Sequence, residues 1–85
     1  MDARQRAQAG LHLIKEAILD VLRDSPDGMS NSEIASLLDI RSRYGKKSED
    51  FLSWSVLGLL LNEGTLKRNG RKYQIVTAKR KPKAL

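Results

Sequence analysis

The 85 residues suffice for one domain, because a second hydrophobic core would need roughly 50 residues of its own. Cysteine is absent, which excludes a disulfide framework and a cysteine-rich zinc site, and no apolar run approaches the roughly 18 residues of a membrane span. Residues 1–40 hold four Lys/Arg against seven Asp/Glu, a net charge of −3, whereas residues 41–85 hold twelve against three, a net charge of +9. The basic half is expected to bind a polyanion, and we expect a cytoplasmic, nucleoid-associated protein.

The first predicted element is a helix over residues 11–22, beginning a turn or two earlier in the Ala- and Gln-rich start. Its apolar side chains recur at helical spacing, at Leu11, Ile14, Ile18, Val21 and Leu22. The turn-forming run of residues 25–28 (Ser-Pro-Asp-Gly) ends the helix.

A second, short helix is predicted from a capping box. Ser30 is the expected N-cap, and Glu33 lies three residues later, where its side chain can reach back to the cap. This helix is expected to end near Asp39. Residues 40–47 contain four basic groups and no period, which predicts a loop.

The third predicted helix spans residues 49–62 and ends before Gly64, with Ser48 as the N-cap candidate. Glu49 and Asp50 at its start either satisfy the helix dipole or accept a hydrogen bond from a cytosine amino group. The face predicted for the core carries Leu52, Val56, Leu59 and Leu60.

The opposite face of the third helix carries Trp54, Leu57 and Leu61, which need an explanation if they are exposed. One alternative is a core wide enough to bury them. The other is an interface, with a homodimer or a partner domain covering them.

A β-hairpin is predicted near the C-terminal end, because Asn69-Gly70 separates two extended runs and is a strong signal for a type I′ turn. Tyr73 and Ile75 alternate with polar residues, which predicts one half-buried face. The domain is expected to cover residues 1–78, and residues 79–85 are expected to be a basic disordered tail.

Two stretches resemble winged-helix (winged helix-turn-helix) DNA-binding domains: GMSNSEIASLLDI at residues 28–40 and LLNEGTLKRNGRKYQI at residues 60–75. The resemblance implies an α+β fold, a three-helix winged helix-turn-helix with a C-terminal β-hairpin wing. It also implies that the third helix approaches the major groove while the wing meets phosphates or the minor groove. A weaker similarity, carried by residues 44–47 and 52–55, is to small winged-helix modules beside restriction-type nucleases.

The predicted function is binding of double-stranded DNA, as a bacterial-type transcriptional regulator or as the DNA-reading module of a larger system. Two basic clusters, at residues 41–47 and 67–72, are expected to converge on one surface and to contact phosphates. The third helix lacks Lys and Arg, so little sequence readout is expected. The residues predicted to bind DNA are Arg41, Arg43, Tyr44, Lys46, Lys47, Ser48, Ser53, Lys67, Arg68, Arg71 and Lys72.

The alternative function is a protein-interaction or dimerisation module that uses the Trp54, Leu57 and Leu61 face. RNA binding fits the charge but offers only Tyr44 and Tyr73 as base-stacking platforms. No cofactor, metal, membrane or small-molecule substrate is expected, and an enzyme is the least favoured class. The single histidine, His12, is expected to be an exposed helix residue.

Overall fold

A computed structural model describes the backbone of residues 2–44 and 47–76, and all of their side chains except those of residues 43, 44 and 47–49. This part of the chain forms three helices and five short strands, which confirms the α+β class. In chain order they are α1 (Ala3–Arg23), β1 (Met29–Ser30), α2 (Asn31–Leu38), β2 (Ser42–Tyr44), β3 (Lys47–Glu49), α3 (Phe51–Asn62), β4 (Leu66–Asn69) and β5 (Lys72–Ile75). Within the described residues, no helix has both the length and the apolar character to cross a membrane.

The first two helices begin at capping boxes. Asp2 accepts a hydrogen bond from the backbone N–H of Gln5 and its own N–H donates to the Gln5 side chain, so α1 begins well before residue 11, as predicted. The Glu33 N–H donates to Ser30 Oγ at 3.2 Å, and the Ser30 N–H donates to Glu33 Oε1 at 2.8 Å. This second box confirms the predicted start of α2. The helix ends at Leu38, and Asp39 has a left-handed backbone with φ +57°.

Three antiparallel strands form a sheet in the order β1-β5-β4. Met29 pairs with Tyr73 and therefore lies in an edge strand, although no strand was predicted at this position. Gly28 precedes it with φ +91°, and a Cβ there would lie 2.8 Å from the Tyr73 carbonyl oxygen. Only glycine allows β1 to approach β5 this closely.

The C-terminal hairpin is confirmed, but its turn differs from the prediction. Asn69 pairs with Lys72, which leaves Gly70 and Arg71 as the two loop residues. Gly70 has φ +64°, and Asp39 is the only described non-glycine residue with positive φ. Glycine at the first central position is the arrangement of a type II′ turn, so the prediction of a type I′ turn centred on Asn69-Gly70 is wrong.

The core lies between the three helices and the inner face of the sheet. It is built from the buried side chains Ile18, Leu22, Ile34, Val56, Leu57, Leu60, Leu66 and Tyr73. Tyr73 is buried and Ile75 half-buried, which confirms the predicted inner face of the hairpin.

The buried face of α3 differs from the predicted one. Ser53, Val56, Leu57 and Leu60 are buried, whereas Leu52 and Leu59, which were expected in the core, are exposed. Eight of the twelve residues of α3 are Phe, Leu, Trp or Val, so hydrophobic periodicity alone selects no face.

The segment before α3 is also more regular than predicted. Residues 40–47 were expected to be a loop, but Ser42–Tyr44 and Lys47–Glu49 pair as a second, two-stranded antiparallel sheet. Ser48 therefore lies in β3 and is not an N-cap; the N-cap of α3 is Asp50, and the helix begins at Phe51. The predicted disordered tail, residues 79–85, lies outside the described residues.

Candidate nucleic-acid interface

A cleft of about 410 Å³ lies where the beginning of α2, the beginning of α3 and the C-terminal hairpin meet. We call it the wing cleft; its lining residues are Ser30, Asn31, Ser32, Trp54, Arg68, Arg71 and Tyr73. A second cavity of about 340 Å³ adjoins it, lined by Asn31, Asp50, Phe51 and Trp54. Because Asn31 and Trp54 line both, the two cavities form one continuous surface.

Strand alternation separates three of the four cations of the hairpin, and the fourth, Arg71, lies in the loop. Arg68 pairs with the buried Tyr73 and therefore shares its face of the ribbon, whereas Lys67 pairs with Gln74 on the other face. Lys72 pairs with Asn69 and Ser30, also away from the Tyr73 side chain. Arg71 lines the wing cleft together with Arg68, so both arginines face the cleft, whereas both lysines lie on the opposite face of the ribbon.

Arg68 is held in place by the hairpin itself. Its Nε donates a hydrogen bond to the Gly70 carbonyl oxygen at 3.0 Å, and its guanidinium carbon lies 5.4 Å from the centroid of the Tyr73 ring. That distance is within the range of a cation–π contact. A guanidinium fixed in this way loses less side-chain entropy when it binds an anion.

Asp50 joins three segments at the other end of this surface. Its Oδ1 accepts from Arg41 Nε at 2.9 Å, and its Oδ2 accepts from Ser32 Oγ at 3.0 Å. The side chain makes no hydrogen bond to the N-terminus of its own helix. Both carboxylate oxygens are thus engaged by the protein, and Arg41 is paired with an acid rather than available as an isolated cation.

Ser53 is buried, which corrects its assignment as a DNA-contacting residue. Its Oγ donates a hydrogen bond to Asn31 Oδ1 at 2.5 Å, and the Asp50 carbonyl oxygen lies 3.2 Å from the same hydroxyl. With 0% exposure the side chain cannot reach a base edge. Its hydrogen bond holds the Asn31 side chain in position.

Two aromatic side chains are exposed at the beginning of α3. Phe51 and Trp54 expose 57% and 59% of their surface, whereas Leu57 is fully buried and Leu61 half-buried. Of the predicted Trp54, Leu57 and Leu61 face, only Trp54 is therefore exposed. Phe51 was missed, and no signal in the sequence pointed to it, because the predicted cap was Ser48 and not Asp50.

The other predicted contacts of the 41–47 cluster are described only in part. Arg43 pairs with Ser48, and Tyr44 with Lys47, across β2 and β3; their side chains and the whole of Lys46 lie outside the described residues. Arg41 is therefore the one basic residue of the 41–47 cluster whose side chain is described. It pairs with Asp50, which lines the cavity beside the wing cleft, and the expected convergence of the two basic clusters is described only at this point.

Two further titratable groups line neither cavity. Hydrogen bonds from the backbone and then from the side chain of Ser30 lower the pKa of Glu33; burial opposes them, and the charge of Lys72 adds a lesser lowering. His12 is exposed, as predicted, and lies 3.3 Å from Glu16.

Among residues 2–44 and 47–76, no group of three or more His, Cys, Asp or Glu side chains is arranged to hold a metal ion. No protein-family model matches the chain, and no curated protein or solved structure matches it either.

Proposed function

We propose that this protein is a winged-helix domain that binds double-stranded DNA, with most of its affinity coming from phosphate contacts. Two observations support the fold assignment. The order of elements, with α1, β1, α2 and α3 followed by the β4–β5 hairpin, is that of a winged helix. The edge strand β1 pairs with the last strand, β5, as the wing arrangement requires.

The observation that carries the function is the pair of arginines, Arg68 and Arg71, beside the beginnings of α2 and α3. Arginine binds phosphate with a rigid fork of donors, and each contact releases counterions from the nucleic acid. The sequence-independent part of the affinity is expected to dominate, because α3 offers no Lys or Arg to base edges. Such a domain serves as a small transcriptional regulator or as the DNA-reading part of a larger assembly.

A salt titration tests this proposal. With roughly 4–6 phosphate contacts, the dissociation constant for a duplex should rise about 10²- to 10³-fold between 50 and 200 mM salt. Fluorescence anisotropy with a labelled duplex measures it. An affinity that is indifferent to salt would count against phosphate-driven binding.

Charge-matched variants give the titration its control. Arg68→Ala/Arg71→Ala should weaken binding by a similar factor on unrelated duplex sequences, because phosphate contacts carry no sequence information. Arg4→Ala/Arg23→Ala removes the same charge from α1, on which both side chains are exposed. Equal losses in the two double variants would mean that net charge, and not the wing, drives binding.

A second candidate function, a protein-interaction or dimerisation module, is favoured by one observation. Phe51 and Trp54 leave more than half of their surface exposed, and contiguous exposed apolar surface commonly marks an interface. Sedimentation over a range of concentrations tests it. A dimer abolished by Phe51→Lys in a folded protein would support this candidate, and a monomer at all concentrations would oppose dimerisation.

A further inference from the structure

The exposed aromatic pair at the start of α3 is poorly explained by phosphate contacts alone. Trp54 and Phe51 are exposed to 59% and 57%, although α3 contributes four other side chains to the buried face. Each aromatic ring left in water forgoes the hydrophobic stabilisation that its burial would bring. An exposed aromatic pair beside a cationic cleft therefore suggests a ligand with a flat apolar face and a negative charge.

The position of Trp54 meets both requirements of such a ligand. On one side it lines the wing cleft with Arg68 and Arg71, and on the other it lines the adjoining cavity with Phe51. Both cavities fall within the roughly 300–1,000 Å³ that small-molecule sites occupy. A ring seated against Trp54 would thus have two guanidinium groups on one side and a second aromatic ring on the other.

We propose that this surface receives an unpaired nucleobase, so that the protein binds duplex DNA most tightly next to unpaired nucleotides. The inference rests on the proposed function, since the adjoining duplex supplies the phosphate contacts. In a continuous duplex the base faces are hidden in the stack, and a protein meets only base edges in the grooves. An unpaired base offers its face, and an aromatic side chain can stack on it.

The charges around the aromatic pair favour a nucleotide over an apolar protein segment. Arg68 is fixed by its bond to Gly70 and by the Tyr73 ring, and Arg71 follows directly in the hairpin loop. Asp50, the acid that lines the adjoining cavity, has both oxygens engaged by Arg41 and Ser32. The phosphates of an unpaired strand would therefore meet cations at the cleft while its base stacks on Trp54.

The experiment uses the protein's own fluorescence, because Trp54 is the only tryptophan in the sequence. Three DNA probes are compared at one salt concentration: a blunt duplex, the same duplex with a single-stranded extension, and that extension built from abasic sites. The abasic extension keeps the phosphates and lacks the bases. The base-bearing extension should bind about 5- to 150-fold more tightly than the abasic one, as expected for one stacked base, and it alone should quench Trp54.

Variants separate stacking from a general effect on α3. Trp54→Leu should reduce the affinity ratio between the base-bearing and abasic extensions to one, whereas Trp54→Phe should retain part of it. Leu59→Ala changes another exposed side chain of α3 that lines neither cavity, and it should leave the ratio unchanged. Anisotropy gives the ratio, and circular dichroism confirms that each variant is folded.

The alternative outcomes are distinguishable. Salt-dependent and equal affinity for all three probes, without base-dependent quenching, would overturn this inference and leave the proposed function standing. No binding to any probe would overturn both. A concentration-dependent blue shift of Trp54 without DNA, accompanied by dimerisation, would overturn it in favour of a second copy of the chain covering the aromatic face.

Discussion

The hydroxyl of Ser53 donates a hydrogen bond to Oδ1 of Asn31, 2.5 Å away, and so joins the first turn of α3 to the first residue of α2. Asn31 in turn donates from Nδ2 to the Asp50 carbonyl oxygen at 3.2 Å. Because Asn31 lines both cavities, this buried contact fixes the floor of the surface proposed to bind DNA. A partly buried polar contact thus positions the candidate site.

Replacing Ser53 by alanine removes this link. Ser53→Ala should lower the free energy of unfolding by about 1–2 kcal/mol, because Asn31 Oδ1 loses a donor in a partly buried place. Ser55→Ala is the matched control: Ser55 lies in the same helix and is exposed, and alanine favours the helix slightly. Urea denaturation measures both, and equal stabilities of the two variants would contradict a structural role of the bond.

Gly28 is expected to be the least replaceable glycine among those described. A Cβ at this position would lie 2.8 Å from the Tyr73 carbonyl oxygen, and backbone cannot move aside without breaking the β1–β5 pairing. Gly28→Ala should cost at least about 2 kcal/mol, more than the roughly 1–2 kcal/mol of left-handed backbone strain alone.

Gly64→Ala supplies the comparison for Gly28. Gly64 also has positive φ, +81°, but a Cβ there would meet nothing within 4 Å. This variant should show the backbone strain alone. If thermal unfolding finds the two alanine variants equally destabilised, the close approach of β1 to β5 does not limit position 28.

The parts of the fold that the sequence predicts well depend on neighbours within a few residues. The Ser30–Glu33 capping box requires only two side chains three residues apart, and both of its hydrogen bonds are found. The inner face of the hairpin follows from the alternation of Tyr73 and Ile75 with polar residues. In each case residues close together in the sequence determine the local structure.

The face of α3 could not be predicted, because its sequence is apolar on nearly every side. The predicted face is turned from the observed one by less than one residue step of about 100°. The observed face packs Val56, Leu57 and Leu60 into the core. It also joins Ser53 to Asn31, 22 positions away in the chain, and such tertiary contacts cannot be read from the helix sequence. The same rotation removes Ser53 from the proposed interface and brings Phe51 into it.

The β2–β3 pairing and the separation of the hairpin cations escaped prediction for related reasons. Strands of three residues are too short for alternation to distinguish them from a loop. The four hairpin cations were counted together by their position in sequence. Strand register, which places Arg68 opposite Tyr73 and Lys67 opposite Gln74, assigns Arg68 to one face and Lys67 and Lys72 to the other.

Glu33 should make the stability of α2 depend on pH in the acid range. Its pKa lies below the ordinary value of 4.5, first because of the hydrogen bond from the Ser30 backbone. A lowered carboxyl pKa gives stability that is fully present above the unfolded-state pKa and is lost as pH falls through the folded-state pKa.

Glu33→Gln isolates this contribution, because glutamine keeps a capping-box acceptor but does not titrate. The difference in melting temperature between the wild type and this variant should be constant above about pH 6. It should shrink as pH falls through 4.5 and below. Circular dichroism melts measure it, and a difference that grows on acidification would contradict the sign of the shift.

The structure of the hairpin makes a prediction about its cations that the sequence alone does not. Arg71 lines the wing cleft, whereas Lys67 lies on the opposite face; both side chains are exposed. Arg71→Ala should weaken duplex binding and reduce the steepness of the plot of log affinity against log salt by about 0.9, the loss of one phosphate contact. Lys67→Ala removes the same charge and should leave that slope nearly unchanged.

Anisotropy titrations at several salt concentrations measure both slopes. A larger effect of Lys67 than of Arg71 would assign DNA to the outer face of the hairpin, and it would remove the wing cleft from the interface.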